Sequence, residues 1–199
     1  MTRRKIIVCA VIGIVLIAAG IAFSQSRFNP LPRILASTQP QEKVAFPSIS
    51  TTGLSLEQTV LIKILQQEYA AQPAGTKYSE GIEEPWCADF VSWVFKEADV
   101  PLKNPNSGGW RIPGTFTLRE YYEQEDRFVP ASSEYSAKVG DILLYDNPSP
   151  FGQHTNIVIN NEDGVITTIG GNEPGGIRIV KHTEPVDAGF IGYGVFKTY

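Results

Sequence analysis

The stretch that decides the fold runs from Val139 to Asn172, VGDILLYDNPSPFGQHTNIVINNEDGVITTIGGN. Short runs rich in Ile, Val, Leu and Tyr alternate there with clusters of Gly, Pro, Asn and Asp. Apolar and β-branched runs of about four to eight residues, bounded by turn formers, read as strands joined by hairpins. The pattern continues through IRIVKH and closes in YGVFKTY, so the C-terminal part of the chain is expected to form an antiparallel sheet.

Upstream of Val139 the period changes. In LSLEQTVLIKILQQEYAAQ, which begins at Leu54, apolar residues recur at helical spacing at Leu54, Leu61, Leu65 and Tyr69. Ser55 and Gln58 have the spacing of a capping box, and Pro73 and Gly75 stop the helix. A second helix is expected after Glu83-Glu84-Pro85: proline suits a first turn, and acids favour the positive end of the helix dipole. It should end near Asp99 and Pro101. NPNSGGWRIPG then reads as a loop and TFTLREYYEQE as a shorter third helix. Helices followed by strands give an α+β domain over residues 54–199, with the N-terminal helices packed on one face of a small, curled antiparallel sheet.

The chain begins differently. Arg3, Arg4 and Lys5 precede an uninterrupted apolar run from Ile6 to Phe23. That run exceeds the ordinary core of a cleaved signal and approaches a bilayer span, so residues 1–23 are expected to be a signal or transmembrane anchor. The basic flank would stay cytoplasmic and the rest would lie outside, as a single-pass membrane protein or, after cleavage near Ala22, as a secreted one. Residues 24–53, rich in Ser, Thr, Gln and Pro, read as a linker. The three basic residues of the N-terminus face no acid there. Setting them aside from 17 basic and 21 acidic residues leaves an acidic exported part, which argues against nucleic acid as a partner.

Exported proteins usually pair their cysteines, yet Cys9 lies inside the apolar run and Cys87 stands alone. An intrachain bridge in the exported part is therefore excluded, leaving a buried inert thiol, an intermolecular disulfide or a nucleophile. Cys87 falls in the first turn of the second helix, where unpaired amides and the helix dipole favour a thiolate. It shares a helical face with Val91, Val94 and Ala98. Asp89, Ser92, Lys96 and Asp99 form what reads as a solvent stripe. A nucleophilic thiol needs a base, and the chain has two histidines. His154, at the mouth of the strand TNIVI, is better placed than His182. A third group should orient the imidazole, and Asn172, one strand later, fills that position, with Glu173 the alternative. The aromatic residues between the cysteine and the sheet read as core, except Trp110, whose loop position marks it as a substrate-groove residue.

In order and interval, PWCADFVSWVF, VGDILLY, HTNIVI, IGGN and a final GYGVF resemble the CHAP family of cysteine- and histidine-dependent amidohydrolases and peptidases, within the papain-like, NlpC-type superfamily. The resemblance implies Cys87 as nucleophile, His154 as general base and later acid, and Asn172 as orienting residue, with the Cys87 amide contributing to the oxyanion hole. It adds Tyr78 as a supporting residue. Two departures stand out. Many members have Glu-Gly-Asn where this chain has Gly170-Gly171-Asn172, and Glu173 would have to supply the missing carboxylate. Others carry an Asp-rich calcium loop before the cysteine, whereas Glu80, Glu83 and Glu84 lack that spacing, so no metal and no cofactor are expected. The implied activity is cleavage of amide bonds in peptidoglycan, in the stem peptide or at the glycan–peptide junction. A catalytically silent wall-binding or assembly module, an acyl or peptidyl transferase, and dependence on an activating protein stay open.

Overall fold

The computed structural model describes residues 44–198 apart from 148, 150, 151 and 184–188. The expected anchor, residues 1–23, and most of the expected linker lie outside the described residues. Among the described residues no helix is long and apolar enough to cross a membrane.

Among the described residues three α-helices precede six strands. Helix α1 spans Leu56–Ala71, α2 spans Cys87–Glu97 and α3 spans Thr115–Gln124. The strands are β1 Phe128–Pro130, β2 Ile142–Tyr145, β3 His154–Glu162, β4 Val165–Glu173, β5 Gly176–Thr183 and β6 Phe190–Gly194. They form one open, wholly antiparallel sheet in the order β1-β6-β2-β3-β4-β5. The α+β class and the helix-then-strand order are as the sequence implies.

The capping box of α1 forms as its spacing predicts: Gln58 N–H donates to Ser55 Oγ at 3.2 Å and Ser55 N–H to Gln58 Oε1 at 2.9 Å. Ser55→Ala removes half of that box and should cost about 1 kcal/mol, read as a lowered denaturation midpoint in urea. At the other end, Gln72 takes a left-handed conformation with φ 49°. Its side-chain amide donates to Ile177 O and accepts from Ile177 N–H, so α1 is tied to β5 as if by one more strand residue.

Alternation along the strands splits the core in two. Ile142, Leu144, Ile157, Ile159 and Ile169 join the buried residues of all three helices in the larger cluster. Leu143, Tyr145, Val158, Ile166 and Tyr193 form a second cluster on the opposite face. Packing begins upstream of Leu54: Phe46 and Ile49 lie against the larger cluster, and the Tyr69 hydroxyl donates to Val44 O.

Two strands differ from expectation. β1 is absent from the sequence reading because three residues ending in Pro130 carry almost no strand signal, and its existence depends on pairing with β6. The last strand starts at Phe190 and stops at Gly194, so it does not run to the C-terminus. The expected solvent stripe holds at Lys96 and Asp99, which are exposed, and is overturned at Asp89 and Ser92, which are fully buried. The segment between α2 and α3 folds over them. Ile112 N–H donates to Ser92 Oγ at 3.1 Å, and Arg111 reaches Asp89.

Candidate active site

Cys87 is the first residue of α2, and one residue wedges that helix end into place. Trp86, just before it, stacks on Tyr78 with ring centroids 5.3 Å apart and planes 15° apart. Two glycines make room for its ring. A Cβ on Gly75 would lie 2.3 Å from Trp86, and one on Gly171 would lie 2.4 Å from Trp86 and 2.7 Å from Phe90. The approach of Gly171 to Trp86 and Phe90 brings the start of α2 against β4.

His154 opens β3 opposite Tyr145 of β2. Its Nε2 lies 2.8 Å from Oε1 of Glu173, the last residue of β4, and the Cys87 sulfur lies close enough to the same ring to favour its protonated form. Cys87, His154 and Glu173 are 5%, 4% and 8% exposed, so water screens their interactions poorly. Burial alone would lower the His154 pKa. The Cys87 sulfur and then the Glu173 carboxylate outweigh it by favouring the imidazolium, and the value rises to about 9.

The imidazole therefore meets Glu173, whereas Asn172 is exposed with φ 58°. The reason is a bulge. Between Gly170 opposite Arg178 and Glu173 opposite Gly176, β4 carries one residue more than β5. Simple alternation would put Asn172 on the side of Gly170. The extra residue gives that side to Glu173, whose carboxylate fills the space above the bare Gly170, where a Cβ would lie 3.1 Å from Glu173 Oε1 and 3.4 Å from His154 Nε2. The carboxylate missing from position 170 is thus replaced from position 173.

Residues 78–172 match the family model described as CHAP domain. This segment is a CHAP domain. The family comprises cysteine- and histidine-dependent amidohydrolases and peptidases, so the domain is of the hydrolase type. No curated protein and no solved structure matches the chain.

Tyr78, where the CHAP match begins, is fully buried and edge-on to Phe90 and Trp93. Its hydroxyl donates to Glu68 Oε2 at 2.7 Å, a carboxylate also held by Lys77. Burial and then Glu68 push its pKa well above the usual tyrosine range, so it stays neutral and supports Trp86. Trp110 is half-buried and lines a cleft of about 380 Å³ with Glu80, Asn104, Ser107, Arg111 and Pro113. The Lys96 ammonium lies 5.0 Å from the centre of its ring. His182 is buried elsewhere, with Nε2 3.1 Å from Thr168 Oγ1. Among the described residues no group of three or more His, Cys, Asp or Glu side chains is arranged to hold a metal ion.

Two features of the CHAP site went unread in the sequence. Asn156 is fully buried, and its Nδ2 lies 3.5 Å from Glu173 Oε1. Its position two residues after His154, on the same strand face, was the available signal. The other is the chain Glu84–Arg111–Asp89, with Arg111 Nε 2.7 Å from Asp89 Oδ1 and Nη2 bonded to Glu84. Burial raises the Asp89 pKa to about 6, although Arg111 pulls it down.

Proposed function

We propose that the protein is a cysteine hydrolase of peptidoglycan, held outside the cytoplasmic membrane by residues 1–23. The observation that carries this reading is the convergence of the Cys87 thiol and the Glu173 carboxylate on the His154 ring. In it, the Cys87 thiolate attacks the amide carbonyl carbon while His154 is protonated. Collapse of the tetrahedral intermediate breaks the C–N bond, and the His154 proton goes to the departing amine. Water then attacks the thioester, giving its proton to His154, and the carboxylic acid leaves Cys87 free. Glu173 orients the ring and stabilises its cationic form.

Residue 172 takes no part in this scheme. Asn156 holds Glu173, Tyr78 supports the helix start, and Trp110 offers an aromatic wall to substrate. The bond cut lies in the stem peptide or at the glycan–peptide junction.

The test is incubation of the purified full-length chain with peptidoglycan, with products read by mass spectrometry. Hydrolysis adds one water per bond and leaves a new amine and a new carboxyl, and iodoacetamide should stop it. An amine in place of water in the product would make the enzyme a transferase. A folded protein that cuts no wall would instead favour the silent binding module or the need for an activating partner.

A further inference from the structure

The start of α2 lacks the cap its neighbours could supply. Its first backbone bond runs from Phe90 N–H to Trp86 O, and Trp86 provides no side-chain acceptor. Among the described residues no side chain accepts from the amides of Cys87, Ala88 or Asp89. Carboxylates near a helix start ordinarily do so. Two are at hand, Glu84 just before the helix and Asp89 in its first turn, and Arg111 engages both. Asp89 is fully buried, with Oδ2 unpartnered among the described residues, so Arg111 Nε is the only cationic donor it has there.

We propose that Arg111 is a positioning residue for the thiol chemistry: by holding Glu84 and Asp89 it keeps the first-turn amides open to an oxyanion and balances two carboxylates flanking Cys87. The inference rests on the hydrolase reading above. Donors aimed at a developing oxyanion are effective only if nothing else occupies them. Unbalanced carboxylates beside a sulfur oppose its negative charge. The planar guanidinium reaches both acids at once, which a lysine ammonium does less well.

The experiment follows kcat/KM against pH for Arg111→Gln, Arg111→Lys, Asp89→Asn and the Arg111→Gln/Asp89→Asn pair, with melting temperatures alongside. Arg111→Gln should move the acid limb up by about one pH unit, a roughly tenfold loss below the limb. Arg111→Lys should recover part of that shift. Asp89→Asn alone should move the limb the other way, and the double variant should be more active than Arg111→Gln. The rate of Cys87 alkylation by iodoacetamide against pH gives the same comparison without substrate, so it stays decisive even if wild type cuts no peptidoglycan and the hydrolase reading falls. Unmoved limbs and alkylation profiles, with activity lost only in step with melting temperature, would overturn the role of Arg111 and leave the hydrolase reading standing. If Arg111→Gln does not fold, the opposed shifts of Arg111→Lys and Asp89→Asn carry the test.

Discussion

Exchanging Glu173 for Gln should lower kcat/KM by up to roughly 10⁴-fold, the loss found when a carboxylate orienting a catalytic histidine is neutralised. It should also change the pH profile. In the proposed scheme protonated His154 is the acid that delivers a proton to the departing amine, so activity should fall on the alkaline side as pH rises through about 9. Glutamine keeps the shape of the side chain but removes the charge that helps hold the imidazolium, so the alkaline limb should move to lower pH. The same sign applies to folding. A histidine raised from 6.5 to about 9 contributes stability that is full below pH 6.5 and is lost as pH rises through 9. Glu173→Gln should flatten that loss, measurable as urea midpoints across the window. Asn172→Ala should leave both profiles unchanged, because Asn172 is exposed and makes no hydrogen bond to His154. A large effect at Asn172 with none at Glu173 would reverse the assignment.

What made this pair hard to separate in the sequence is the register of β4. Strand alternation is a local rule, and it favours Asn172 as the residue sharing a side with Gly170. The bulge that brings Glu173 to His154 arises from pairing with β5, which no residue of the IGGNE segment announces alone. The parts of the site that local physics controls were legible: the capping box of Ser55 and Gln58, the helix start at Cys87 and the strand start at His154. The buried side of α2 was not. Helical spacing correctly grouped Asp89 with Ser92, but it says nothing about what covers a face. The covering segment around Arg111 and Ile112 has no period of its own. A lone arginine in a glycine- and proline-rich loop, upstream of no acid within the loop, was the one hint that its partners lay elsewhere.

Gly171→Ala should lower activity sharply, because it strikes the contact between the start of α2 and β4. The added methyl would lie 2.4 Å from the Trp86 ring and 2.7 Å from Phe90 Cβ, well inside contact distance. Trp86 has little room to retreat, because its ring stacks on Tyr78 and closes over Gly75, where a Cβ would lie 2.3 Å away. Phe90 belongs to α2 itself. The strain is therefore relieved only by moving the helix start away from β4, which carries Cys87 away from His154. Overpacking of this kind typically costs about 1 to 3 kcal/mol, and a displacement near 1 Å at reacting groups costs about 10²-fold in rate. Activity should thus fall further than the melting temperature explains. Gly109→Ala is the matched control, since a Cβ there would meet only Ser107 Oγ at 3.5 Å. If Gly171→Ala lost stability but kept wild-type turnover, the helix start would be free to shift without consequence, and the Trp86 wedge could not be what sets the distance from thiol to imidazole.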